Sequence, residues 1–212
     1  MMSNQYECTE EQFLNDVERH QISIEKDDGV HRHIRFKQSD SCTYWFDLIT
    51  WPGYLCISGD CGTYVFSRTN DMFGFFRSKN GKLSINPHYW GEKLQSISRF
   101  GGFLKFDQEE FKNRVKEHFE SYMVTRIQDE SQKGELWKEI EDEVLYNSDE
   151  EHRAYQSVND FRYEIGDHTF EFSDFFDGGG TECYSPQFIW NLYAIVWGIM
   201  KYDEEKQTKV TV

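Results

Sequence analysis

ISIEKDDGVHRHIRFK, residues 22–37, sets two alternating apolar and polar segments either side of a turn. Ile22 and Ile24 alternate with polar residues, Asp27-Asp28-Gly29 supplies turn chemistry, and Val30, Arg32, Ile34 and Phe36 then alternate with His31, His33, Arg35 and Lys37. A period of two on both sides of a glycine-containing turn predicts a β-hairpin, because successive side chains of a strand point to opposite faces. The second strand therefore carries His31, His33, Arg35 and Lys37 on one face and its apolar residues on the other.

Downstream, WPGYLCISGDCGTYVFSR (residues 51–68) is the densest stretch in turn-forming and aromatic residues. A third strand is predicted over residues 43–50, a fourth over 54–58 and a fifth over 63–67, joined by Trp51-Pro52-Gly53 and Gly59-Asp60-Cys61-Gly62. Upstream, Thr9 with Gln12 forms a capping box that opens a short helix with Phe13, Leu14 and Val17 on one side.

After Arg68 the apolar spacing changes from two to between three and four. Met72, Phe73, Phe75 and Phe76 follow the cap candidates Thr69 and Asn70. Asn86-Pro87 opens a helix through Trp90, Leu94 and Ile97, to be ended by Gly101-Gly102. Three amphipathic helices follow. Asp107 and Glu110 cap the first, with Phe111, Val115, Phe119, Tyr122 and Met123; Leu136, Trp137, Ile140, Val144 and Leu145 mark the second. A Ser148/Glu151 box opens the third, with Ala154, Tyr155, Val158 and Phe161. Residues 165–172 read either as a short strand pair or as an irregular return, and Asp177 to Gly180 as a flexible loop. Ser185-Pro186 begins a last helix, to Lys201, that is apolar around most of its circumference and belongs at the centre of a core. The expected fold is one α+β domain over 1–212, with an antiparallel meander of about five strands packed with several helices. It is mostly β over 1–67, mostly α over 68–164, a return segment and central helix over 165–202, and a frayed tail over 203–212.

The chain has 212 residues, 38 acidic against 23 basic, a net charge of −15. That excludes a generic nucleic-acid backbone binder, which needs clustered Lys and Arg. Aromatic residues at 17% supply a core despite a mean hydropathy of −0.76, which argues against disorder. The charge is uneven: residues 1–106 hold 12 basic and 13 acidic side chains, residues 107–177 hold 8 and 21, and residues 178–212 hold 3 and 4. Either the acidic faces simply solvate the helices, or they form a surface presented to a basic partner. On the second reading the candidate contacts are Glu139, Asp142 and Glu143 with Asp149, Glu150 and Glu151, runs on or beside helices.

The cationic strand face offers a competing reading, a small anionic ligand such as a nucleotide held by His31, His33, Arg35 and Lys37. Tyr44, Trp51, Tyr54 and Tyr64 on neighbouring strands would supply stacking surfaces. His31 and His33 could also begin a metal site with Cys42 or Asp47, but no third ligand follows at recognisable spacing, so no metal or other cofactor is expected. The five cysteines are odd in number and read as free thiols, Cys56 and Cys61 included; with a polar, acidic N-terminus the expected location is the cytosol. The longest apolar stretch, Phe188 to Met200, is too short to span a bilayer. No nucleophile elbow, zinc-protease pair, P-loop or dinucleotide fingerprint is present, so no catalytic residue is named and the reading leans away from an enzyme.

FDLITWPG (46–53), SGDCGTYVFSR (58–68) and DMFGFFR (71–77), continued by Tyr89-Trp90, Glu92-Lys93-Leu94, Glu151 to Tyr155 and the aromatic last helix, resemble a group of phage- and prophage-encoded proteins with no assigned activity. The resemblance covers most of the chain and implies a provenance, in a bacterial host cytosol, rather than a set of site residues. In that setting it favours a non-enzymatic inhibitor or decoy whose acidic surface mimics nucleic acid and occupies a basic host protein such as a defence factor.

Overall fold

In a computed structural model, residues 8–99, 102–126, 129–146, 148–177 and 180–210 are described. The hairpin forms as its alternation dictates: β1 (Gln21–Asp28) pairs with β2 (His31–Lys37), Gly29 takes the left-handed conformation at φ 60°, and the register shifts between Ile24 and Lys26. β3 (Phe46–Trp51), β4 (Tyr54–Gly59) and β5 (Gly62–Ser67) continue the meander.

A sixth strand, β6 (Leu94–Ser96), closes the row β1-β2-β3-β4-β5-β6, antiparallel throughout. This corrects the helix expected from Asn86 to Gly101. Asn86 does cap a helix, its side chain accepting from the Tyr89 N–H at 3.1 Å, but that helix (Pro87–Gly91) stops after five residues. The backbone then pairs with β5, Val65 opposite Ser96 and Phe66 opposite Leu94. Unpaired backbone groups on a strand edge outweigh local propensity here.

Around the sheet lie α1 (Glu10–Val17), α2 (Met72–Phe76), α3 (Pro87–Gly91) and the long α7 (Pro186–Val210). The Thr9 capping box is present in both directions: Gln12 N–H donates to Thr9 Oγ1 at 3.2 Å and Thr9 N–H to Gln12 Oε1 at 2.8 Å. The cap of α2 is Asp71 rather than Thr69 or Asn70, its carboxylate accepting from Phe73 N–H at 3.0 Å. The inner sheet face, Ile34, Phe36, Phe46, Leu48, Leu55, Ile57, Tyr64 and Phe66, is fully buried with Phe188, Leu192, Ile195, Val196 and Ile199 of α7. Trp190 and Trp197 meet Phe46 and Phe36 edge-on at 5.7 and 5.4 Å, so the last helix is central to this core. Of the tail expected to fray over 203–212, residues 203–210 continue α7, and 211–212 lie outside the described residues. Arg77 donates twice to Asp203 at 2.7 and 3.0 Å, and Tyr202 and Lys206 both donate to Asp27 at 2.8 Å. Among the described residues no helix is long and apolar enough to cross a membrane.

By its contacts the chain divides at 103/104 and 183/184, not where the periodicity changes: one unit holds residues 1–103 and 184–212, the other Leu104–Cys183. The second unit contains β7 (Leu104–Phe106), α4 (Gln108–Arg126), α5 (Glu130–Ile140), a π-helical turn (Glu141–Leu145), α6 (Glu151–Asp160), a hairpin of β8 (Tyr163–Ile165) and β9 (His168–Phe170), and all but the last residue of β10 (Glu182–Tyr184), the strand that pairs with β7. It has its own core, from Phe111 and Val115 through Leu136, Ile140, Val144, Ala154 and Val158 to Phe161, Phe170, Phe172 and Phe175. The expected Ser148/Glu151 box does not form. Ser148 is buried and donates to the Leu145 carbonyl at 2.7 Å, which leaves Glu150 as the N-cap of α6 without a side-chain bond. Of the glycine loop, Gly178 and Gly179 lie outside the described residues.

Candidate functional site

β2 buries Arg32, Ile34 and Phe36 and turns His31, His33, Arg35 and Lys37 outward, as its alternation predicts. Register then decides what these groups meet. Arg35 lies opposite Asp47 of β3, and its Nε and Nη2 donate to Asp47 Oδ1 and Oδ2 at 2.8 Å each. His33 Nε2 lies 3.0 Å from Oδ2; since an ionised carboxylate only accepts, this nitrogen carries the hydrogen. Burial pushes the Asp47 carboxyl up, but the bonds from Arg35 and His33 outweigh it and hold the group below the usual carboxylate range. Arg35 is thus a fixed fork rather than a diffuse surface cation, with its guanidinium 5.6 Å from the centre of the Trp45 ring. Trp51 and Tyr54 share this outer face, pair across β3 and β4, and stack at 5.2 Å, both residues being more than a third exposed.

The eight residues expected to hold an anion are not all brought together. His31 and Lys37 are exposed at the two ends of β2, and His33 and Arg35 converge on Asp47. Tyr44 and Tyr64 are corrections. Tyr44 precedes β3, at φ 59°, and stacks on Trp190 at 5.6 Å. Tyr64 shares the inward parity of Phe66, is fully buried and donates its hydroxyl to the Gly102 carbonyl at 2.6 Å. His33 and Asp47 do meet, but among the described residues no three His, Cys, Asp or Glu side chains are arranged to hold a metal. All five cysteines are free thiols. Burial, with Asp47 nearby, pushes the Cys56 thiol of the outer face up, so it keeps its proton at neutral pH.

The unusual backbone of Tyr44 is held from both sides. Its N–H donates to Asp60 Oδ2 at 2.8 Å, and its carbonyl is 3.0 Å from His20 Nε2, which must therefore be the protonated nitrogen. His20 Nδ1 is buried without a partner, so a second proton has nowhere to donate, and burial holds the His20 pKa below its usual value despite the Tyr44 bond. A depressed histidine pKa gives stability that is complete above the unfolded value of about 6.5 and declines as pH falls below it. His118 of the second unit, packed against Phe172 at 5.2 Å, is depressed by burial in the same way. The melting temperature is expected to fall between about pH 7 and pH 5, and His20→Gln, which can keep the Tyr44 bond, should remove part of that fall. Thermal melts across this range check it.

The second unit contains 9 basic and 22 acidic side chains, net −13, against net −2 for the sheet unit. Glu139 is half-buried on α5; Asp142 and Glu143 are exposed on the π-helical turn, and Asp149, Glu150 and Glu151 are exposed at the start of α6. Arg153 partly neutralises this second run, lying 3.4 Å from Asp149 and 3.8 Å from Glu150. Between the two runs Tyr146 is 83% exposed. The π-helical turn escaped the sequence reading. Its one signal is the four-residue spacing of the buried Leu136, Ile140 and Val144. Over two such steps that spacing drifts by roughly 80° on a regular α-helix, a drift one wider turn absorbs. The chain has no significant match among protein-family models, curated proteins or solved structures.

Proposed function

We propose that the protein acts without chemistry, in the cytoplasm, by laying the carboxylates of its second unit on a basic, nucleic-acid-binding surface of another protein and blocking it. In the phage setting suggested by the sequence resemblance, that partner is a host protein such as a defence factor. The observation that carries this reading is the segregation of charge: nearly the whole excess sits on one compact unit with its own core. A solubilising surface needs no such confinement. Tyr146, exposed between Glu141 to Glu143 and Asp149 to Glu151, adds an aromatic side chain of the kind that anchors interfaces.

The test is affinity capture from host lysate at low salt. Wild-type protein is compared with a variant in which Glu139, Asp142, Glu143, Asp149, Glu150 and Glu151 become the matching amides. At about 0.5 kcal/mol per exposed charge, the substituted protein should bind roughly a hundredfold more weakly. Equal recovery by both proteins, or no partner for either, would overturn the proposal.

A further inference from the structure

Beyond the acidic unit, the sheet unit holds a cleft of about 450 Å³ at the end of β2, lined by Arg35, Lys37, Ser39, Ser41, Cys42 and Trp45 with Gln38 and Asp40. We infer that this cleft binds a small planar anion, of the size and chemistry of a nucleoside monophosphate, through Arg35, Lys37 and Trp45. This is a separate activity from the one proposed above and does not depend on it.

The cleft is built rather than incidental. Arg35 is locked in place by Asp47, whose side chain is only 8% exposed, and Asp47 is itself held by His33. Two of the five guanidinium N–H groups are spent on that carboxylate, and Nη1 donates to nothing among the described residues. Lys37, exposed at the strand end, makes no ion pair among them. Trp45 is pinned through its backbone, its carbonyl accepting from Asp60 N–H at 3.0 Å, and its half-buried ring offers a flat surface next to the guanidinium. A fixed fork, an exposed ammonium and an aromatic plane are what a phosphorylated ring requires.

Size and charge narrow the ligand. Clefts of roughly 300–1,000 Å³ hold organic molecules and far exceed a bare phosphate. Asp40, in the lining, lies 3.8 Å from the Arg19 guanidinium, which offsets its charge, while the net −15 of the chain would repel the extended charge of a polynucleotide. Trp51 and Tyr54, assigned to this task by the sequence, stack on each other farther along the sheet; Trp45, not singled out there, replaces them.

The experiment titrates the full chain with adenosine 5′-monophosphate, following tryptophan fluorescence and calorimetric heat, with inorganic phosphate and adenosine as separate arms. Arg35→Ala strands the buried Asp47 and risks unfolding, so the deciding variants are Lys37→Glu and Trp45→Leu, each checked for an unchanged melting curve. Saturable binding of the monophosphate, weakened about tenfold or more for phosphate, for adenosine and in each variant, supports the site. No saturation by millimolar monophosphate, binding that both variants retain, or phosphate binding as tight as the monophosphate overturns it.

Discussion

Gly59→Ala is expected to destroy the folded sheet unit although it adds a single methyl group. Gly59 ends β4 opposite Phe46 of β3, and a Cβ built there would overlap the Trp45 carbonyl oxygen and lie 2.7 Å from Phe46 Cα. Both obstacles are backbone, so no rotamer change relieves them. β3 and β4 must separate, which unseats Phe46, Leu48 and Ile57 from a fully buried face. The cost should reach about 4 kcal/mol or more, in the range reserved for backbone and core disruption. Gly74→Ala is the control: its Cβ meets nothing within 4 Å inside α2, and the change should be neutral or stabilising by up to about 1 kcal/mol. Denaturant titration by circular dichroism separates the two, and a Gly59→Ala protein as stable as wild type would contradict the strand pairing.

Trp197→Ala should be the next most damaging change. Trp197 is 9% exposed and meets Phe36, Phe13 and Phe46 edge-on at 5.4, 6.2 and 6.3 Å, so its removal empties the contact between α7, α1 and the sheet. The neighbouring backbone cannot move in to fill the space: Gly198 already brings α7 so close that an added Cβ would lie 2.8 Å from Leu48 Cδ1. Large-to-small core changes of this size cost about 3–5 kcal/mol. A loss below about 1 kcal/mol in the same titration would mean that α7 is not the centre of this core.

The sheet was legible where local chemistry and periodicity agreed. The alternation of residues 31–37, the Gly29 and Gly53 turns and the Thr9 box each name their own structure, and the apolar circumference of residues 188–200 marks the central helix. β6 was not legible, since three residues show no period and its strand state comes from the edge that β5 offers. The same limit applies to the candidate sites. Periodicity gives the face of β2, but the meeting of Arg35 with Asp47 depends on register, and β3 begins at Phe46 rather than at Thr43. Tyr64 could have been placed by parity with Phe66; Tyr44 could not, because its conformation is set by His20 and Asp60, 24 and 16 residues away. The acidic excess was countable in the sequence, whereas its confinement to a separately packed unit is a matter of tertiary contact.

Competition on the captured partner decides whether the acidic unit stands in for nucleic acid. The dissociation constant of its complex with the full-length protein is measured from about 50 to about 500 mM salt, with and without duplex DNA. Affinity should fall by at least about tenfold across that range, and DNA and protein should displace one another. A complex whose affinity is unchanged by salt, or that forms equally well on a DNA-saturated partner, would contradict it.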